Sequence, residues 1–140
     1  MEVLLGRLSI LSKEKQWPLK GVKVLDLGQI YNGPYAGFLL AHAGADVIKL
    51  EPLQGEVLRQ RGGGVIPLSF AMLNTNKRGI AINLKDEKGK EILIKLVKET
   101  DVLVENFAPN AMERLGLGSK VLTEVNPRLI YASGSGYGLS

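Results

Sequence analysis

Residues 19–52 read LKGVKVLDLGQIYNGPYAGFLLAHAGADVIKLEP, and this stretch decides the fold. Val22, Val24, Leu25 and Leu27 form a nearly continuous apolar strand, and Gly28 and Gly33 bound a turn. Pro34 suits the first position of a helix, where its missing N–H would have no partner and its φ is already helical. A second strand follows before Pro52. The unit is strand, turn, helix, strand, with the helix amides aimed beyond the end of the first strand. A helix N-terminus carries about half a positive charge, so phosphate or carboxylate is its natural guest.

Composition bounds what such a unit can serve. A chain of 140 residues matches one domain and buries roughly two-thirds of its unfolded surface without a staple. It has no cysteine, which excludes disulfides, iron–sulfur clusters, thiolate zinc sites and cysteine nucleophiles. His42 is the single histidine, so serine–histidine and multi-histidine metal chemistry are excluded too, and no metal is expected. The net charge of +4 is spread along the chain, pointing to a small polyanionic ligand ahead of nucleic acid. No run approaches the roughly 18 apolar residues of a membrane span, and Glu2 stands where a signal peptide wants a base. The expectation is a cytoplasmic protein with no membrane partner.

Beyond the opening unit, residues 55–67 are rich in Gly, Arg and Gln and carry no helical period, marking an excursion. Residues 85–100 hold the clearest helix: Ile92, Leu93, Leu96 and Val97 form one apolar face between Lys and Glu. A buried strand is expected over 101–104, a short helix over 109–115, a turn or helix over 121–125 and a strand over 129–132. Mostly apolar strands alternating with helices predict an α/β fold with an open, mainly parallel sheet covered by helices on both faces. Ligands of such sheets bind beyond the carboxyl ends of the strands. There is no internal repeat.

Taken with LNTNKRGI at 73–80, DVLVENFAP at 101–109 and NPRLIYAS at 126–133, the opening unit resembles the amino-terminal part of the family III CoA-transferases. This group contains formyl-CoA transferases, carnitine CoA-transferases and α-methylacyl-CoA racemases. The blocks keep the family's order and spacing and together cover nearly everything from Leu19 to Tyr137. The resemblance implies a Rossmann-like CoA-binding α/β domain over 19–140, incomplete relative to the family fold, with residues 1–18, including Lys13 to Lys15, as an added segment. It implies coenzyme A, as acyl-CoA, and a small carboxylic acid as ligands, and a homodimer in the full-length proteins. It also implies that the nucleophilic aspartate lies some tens of residues beyond the loop GSGYG at 134–138. On that reading the chain alone binds weakly and catalyses nothing.

The same resemblance assigns Gln29, Ile30, Tyr31 and Asn32 to CoA and acyl contacts, although Tyr31 could equally pack as a surface aromatic. Leu73 belongs to the second matching block, in which Lys77 and Arg78 either hold nucleotide phosphates or form a solvated basic turn. Asn106 can hydrogen-bond a ligand or cap the next helix, and Phe107 can lie against an adenine. Arg114 has the donor fork suited to phosphate, against the alternative of a solvated helix arginine. Gly136 and Tyr137 let backbone and ring approach a ligand after the last strand, but G-x-G-x-G with no following helix fails the dinucleotide fingerprint. His42 is expected at the solvated end of the first helix. Three other readings stay open: an acyl-CoA racemase of the same family, an NAD-like nucleotide module using Glu51 on a ribose, and a non-catalytic fragment that assembles with another chain.

Overall fold

The computed structural model describes residues 17–62 and 65–138; the added segment expected over 1–18 lies outside them apart from Trp17 and Pro18. Five strands, β1 (Lys23–Asp26), β2 (Asp46–Glu51), β3 (Lys77–Ala81), β4 (Val102–Glu105) and β5 (Ile130–Ser133), form one sheet in the order β3-β2-β1-β4-β5. Every neighbouring pair is parallel. The expected open parallel sheet is therefore the observed one. Among the described residues six helices lie between the strands: α1 (Asn32–His42), α2 (Val57–Gln60), α3 (Leu68–Leu73), α4 (Glu87–Val97), α5 (Ala111–Arg114) and α6 (Ser119–Val125). Among the described residues no helix is long and apolar enough to cross a membrane.

Alternation along each strand divides the residues between two faces. Leu25, Leu27, Leu50 and Leu103 join Leu93 and Val97 of α4 and Leu122 of α6 in the larger core. Val24, Val47 and Val104 face Ala41 of α1 and Ala45 in the smaller one. The α4 start follows from chemistry at its cap: the Asp86 carboxylate accepts the Lys88 amide, and Glu87 stands in the first turn beside the positive helix end. Apolar burial on one side and charge on the other make α4 the helix that the sequence announces.

Several boundaries differ from expectation. Helix α1 begins at Asn32, so Pro34 occupies its third residue; it is still in the first turn, where a missing N–H costs nothing. The uncertain 121–125 element is a full helix from Ser119. Helices α2 and α3 interrupt the 55–67 excursion and the stretch after it, building a satellite core from Leu58, Phe70 and Leu73. Lys77 and Arg78 do not form a turn. They open β3, an edge strand whose lack of apolar alternation hid it.

The α1 face of the sheet carries charge as well as valine. Asp26 is fully buried there; its Oδ2 accepts from Lys77 Nζ at 2.6 Å, its Oδ1 accepts from Gly28 N at 2.8 Å, and Lys49 Nζ lies 3.8 Å from Oδ1. Lys77 also donates to Pro34 O at 2.8 Å and to Asn74 Oδ1 at 2.9 Å, while Lys49 donates to Gly28 O. Burial pulls both ammonium groups below the usual lysine range, opposed by the Asp26 charge. Helix α1 lies so close that a Cβ at Gly37 would stand 2.6 Å from Asp26 Oδ2 and 3.1 Å from Lys77 Nζ.

That contact inverts a common rule. Alanine is favoured over glycine inside a helix by about 1 kcal/mol, yet Gly37→Ala is expected to lower stability by about 1–3 kcal/mol through overpacking against the ion pair. Gly79→Ala, whose Cβ would meet nothing within 4 Å, is the control and is expected to shift stability by less than about 0.5 kcal/mol. Urea unfolding midpoints decide it: a Gly37→Ala chain as stable as the parent contradicts the packing argument.

Candidate functional site

Strand order runs outward from β1 through β2 and β3 on one side and through β4 and β5 on the other, so the direction of winding reverses between β1 and β4. At such a reversal the connecting loops leave in opposite directions and open a crevice beyond the carboxyl ends. Residues 27–31 after β1 and 106–110 after β4 flank it. Asn106 ties them together: its Oδ1 accepts from Gln29 N at 2.6 Å and its Nδ2 donates to Gln29 O at 2.9 Å. Asn106 therefore spends its amide on the loop after β1 instead of capping the next helix, whose N-cap position is Asn110.

The turn after β1 needs both of its glycines. A Cβ at Gly28 would stand 2.5 Å from Gly33 Cα, a distance no side chain tolerates. Ile30 takes a left-handed backbone, φ 63°, with its amide donating to Glu56 Oε1 at 2.9 Å. Tyr31 is half exposed and provides no side-chain cap for α1, leaving the first-turn amides to solvent or a ligand. A third loop closes in after β5: Gly134 N donates to Glu105 O, and a Cβ at Gly134 would be 3.2 Å from Asn32 Nδ2. Gln29, Ile30, Tyr31, Asn32, Asn106 and Phe107 are thus brought together.

Two cavities meet at Phe107. One, about 320 Å³, has an apolar lining from Leu27, Leu50, Ile82, Leu84, Phe107 and Leu115, with Gln29, Asn83, Glu56 and Lys85 supplying polar groups. The other, about 370 Å³, is lined by Glu105, Glu113, Ser119, Tyr131 and Ser133. Glu105 is buried there, accepting from Phe107 N at 2.7 Å and from the Tyr131 hydroxyl at 3.4 Å. Burial, reinforced by the Glu105 charge, pushes the Tyr131 hydroxyl far up. Its two carboxylates make this second cavity a poor host for phosphate. The first combines an apolar floor with an ammonium and suits an aromatic, phosphorylated ligand.

Other residues expected at the site stand elsewhere, each for a physical reason. Leu73 is buried in the satellite core with Leu58 and Phe70. Lys77 directs its ammonium at Asp26, Pro34 and Asn74, which leaves it nothing for a phosphate. Arg78 projects to the opposite face and forms a fork with Asp46, at 2.9 and 2.6 Å, near the amino ends of the strands. Arg114 is exposed, donating to Pro109 O at 3.3 Å, and Tyr137 is fully exposed; neither lines either of these two cavities, nor does Gly136. His42 ends α1, its Nδ1 3.0 Å from Phe38 O. Sequence reasoning missed Glu56, Ile82, Asn83 and Lys85, whose signal was only their position just past β2 and β3.

Glu51 is likewise committed. Its Oε2 accepts from Arg59 Nε at 2.6 Å and from Glu56 N at 2.9 Å, and its Oε1 from Arg59 Nη2 at 2.8 Å. Arg59 in turn lies 3.9 Å over the Phe70 ring. Both carboxylate oxygens are thus engaged by Arg59 and the Glu56 amide and not held out toward a ribose. Among the described residues no group of three or more His, Asp or Glu side chains could hold a metal.

An open parallel sheet with the loops after β1 and β4 gathered at the winding reversal defines a doubly wound α/β protein. The model of CoA-transferase family III matches residues 19–140, and the chain belongs to that family. Formyl-CoA:oxalate CoA-transferase of Streptomyces coelicolor is 47% identical over 123 residues, 86% of this chain and 30% of that protein. An acyl-CoA transferase of Fusarium pseudograminearum is 42% identical over 139 residues, again 30% of its length. A crystal structure of a hypothetical protein from Mycobacterium tuberculosis is 40% identical with a TM-score of 0.79, covering 86% of this chain and 33% of that one. A CAIB/BAIF family protein from Brucella suis is 37% identical with a TM-score of 0.79, over 88% and 34% of the two chains. The chain thus spans about 30% of the length of the curated relatives it matches.

The Glu51 carboxyl yields a pH prediction. Burial alone would raise it, but the Arg59 fork, the Glu56 amide and the Arg59 charge outweigh burial and hold it below the usual 4.5. A depressed carboxyl contributes stability that is present above the unfolded value and lost as pH falls through the folded one. The parent is therefore expected to be more stable than Glu51→Gln at neutral pH, with the gap narrowing below 4.5. Urea midpoints of both chains across that range test it, and a gap that stays constant removes Glu51 from the acid limb.

Proposed function

We propose that this chain is the CoA-binding amino-terminal portion of an enzyme that moves CoA between carboxylic acids. The observation that carries the reading is Phe107, held at the winding reversal between two cavities, one of them apolar with Lys85 as its cation. An adenine against the Phe107 ring, with phosphate near Lys85, uses both kinds of surface. The family and the names of the relatives support a thioester of CoA, and formyl-CoA with oxalate is the pair those names give. In nucleophilic acyl and CoA transfer a carboxylate attacks the thioester and carries the group covalently.

No aspartate of the described residues stands free at the crevice to do this. Asp26 is buried between ammonium groups, Asp46 pairs with Arg78, Asp86 caps α4 and Asp101 accepts the Lys23 amide at 2.9 Å. On this reading the chain contributes binding and orientation, and the attacking aspartate comes from outside the described site.

Calorimetric titration of CoA into the chain is the direct test. Phe107→Ala is expected to weaken binding roughly tenfold or more, the usual worth of base–aromatic stacking, while far-ultraviolet circular dichroism shows the fold retained. Unchanged affinity moves the ligand away from Phe107. Arg114 is exposed outside both cavities with one contact to Pro109 O, so it can meet only a part of CoA that projects beyond them; if that part is the additional phosphate, Arg114→Ala weakens CoA more than dephospho-CoA. Equal losses assign Arg114 another role. Incubated with labelled acyl-CoA and formate, oxalate, succinate or carnitine, the chain is expected to transfer no label; transfer above the buffer control contradicts the division of labour.

A further inference from the structure

We propose that Glu56 is a positioning residue, whose buried carboxylate holds Ile30 in its left-handed conformation and so sets the direction in which Tyr31 and the first amides of α1 face the CoA ligand. Three described residues other than glycine have positive φ: Ile30, Asn76 and Asn110. Asparagine visits this region readily, but a β-branched residue there is an outlier that its surroundings must impose. At Ile30 those surroundings are visible. Its amide donates to Glu56 Oε1 at 2.9 Å, and the preceding residue, Gln29, is clamped through both its N–H and its carbonyl by Asn106. Relieving that φ while the chain on either side keeps its path requires flipping the planar Gln29–Ile30 peptide unit, which turns the Ile30 N–H away from Glu56 and the Gln29 carbonyl away from Asn106, so these bonds and the conformation stand or fall together.

Glu56 is itself built for the task. The same Oε1 accepts the Leu58 amide at 3.1 Å, making Glu56 the N-cap of α2, and its own amide donates to Glu51 Oε2 at 2.9 Å. The residue is 2% exposed, and its Oε2 has no hydrogen-bond partner among the described residues. Burying a half-satisfied carboxylate is costly. A neutral cap such as Ser or Asn would start α2 equally well, so the cap alone does not explain a buried acid. What a longer acid adds is reach across 26 positions of sequence to the amide of Ile30. The excursion after β2 thereby props the loop after β1.

The test is a double-mutant cycle between Glu56→Ala and Ile30→Gly. Glycine adopts positive φ without penalty, so it removes the need for a hold. The binding arm rests on the CoA reading above; the exchange arm does not. Without ligand, the reporter is hydrogen exchange at the Gln29 amide, which bonds Asn106 and not Glu56. Glu56→Ala is expected to speed that exchange at least tenfold with Ile30 present and less than threefold with Gly at that position. With CoA, Glu56→Ala is expected to weaken binding at least tenfold in the parent and less than threefold in the Ile30→Gly background. Glu56→Gln, which keeps an acceptor for both amides, is expected to stay within threefold of the parent in both arms.

Equal losses from Glu56→Ala in the two backgrounds overturn the proposal, as does a Glu56→Gln loss as large as that of Glu56→Ala. Should Glu56→Ala alone fail to melt cooperatively, the double variant decides: folding and behaving like Ile30→Gly supports the hold, and failing to fold refutes it. A parent that binds no CoA refutes the functional reading and the stated purpose of the hold, leaving the exchange arm to decide whether the hold itself exists.

Discussion

A carboxylate buried between two ammonium groups is the constraint on which the α1 side of the molecule depends. Asp26 ends β1, Lys49 lies in β2 and Lys77 opens β3, so one cluster of charge ties three neighbouring strands. Lys77 extends the tie to α1 through Pro34 O and to the end of α3 through Asn74. Removing one member of a buried pair costs about 3–5 kcal/mol, because the survivor is left charged and without a partner. A hydrophobic trio of similar volume would be as stable or more so. What the charges supply is direction, since they hydrogen-bond particular backbone groups, and leucines cannot.

Direction matters because the next residue starts the loop after β1, which flanks the crevice. Gly28 donates to Asp26 and accepts from Lys49, Gln29 is clamped by Asn106, and Ile30 leans on Glu56. Successive backbone units are thus fixed from different elements: the sheet, the loop after β4 and the cap of α2. Such preorganisation lowers the ordering cost that a ligand would otherwise meet on binding.

Much of this architecture was legible in the sequence. The apolar strand at Val22 to Leu27, the amphipathic face of α4 and the Gly28–Gly33 turn all carry local patterns, and local patterns are what a linear reading sees. The long-range roles of Lys77 and Asn106 were not legible. Lys77 resembled a phosphate ligand because its partner Asp26 lies 51 residues away, and nothing in spacing announces that the two are buried face to face. Asn106 looked like a ligand contact or a cap for the same reason, its partner Gln29 being 77 residues distant. Strand β3 escaped because Lys77 to Ala81 lack apolar alternation, and helix α2 because its four residues lie in a Gly-, Arg- and Gln-rich stretch. Where a side chain's role is set by a distant partner, residue type indicates capability and only the fold reveals use.

The side chain of Tyr31 stands apart from everything that fixes its backbone. It is half exposed and caps nothing, while the residues before it are held by buried groups on other elements. Variation at this position is therefore decoupled from foldedness. A lineage can explore different shapes and polarities at residue 31 without repacking a core or breaking an ion pair. The loop behaves as a rigid handle with an interchangeable tip, an arrangement that lets one scaffold diversify its chemistry by single substitutions.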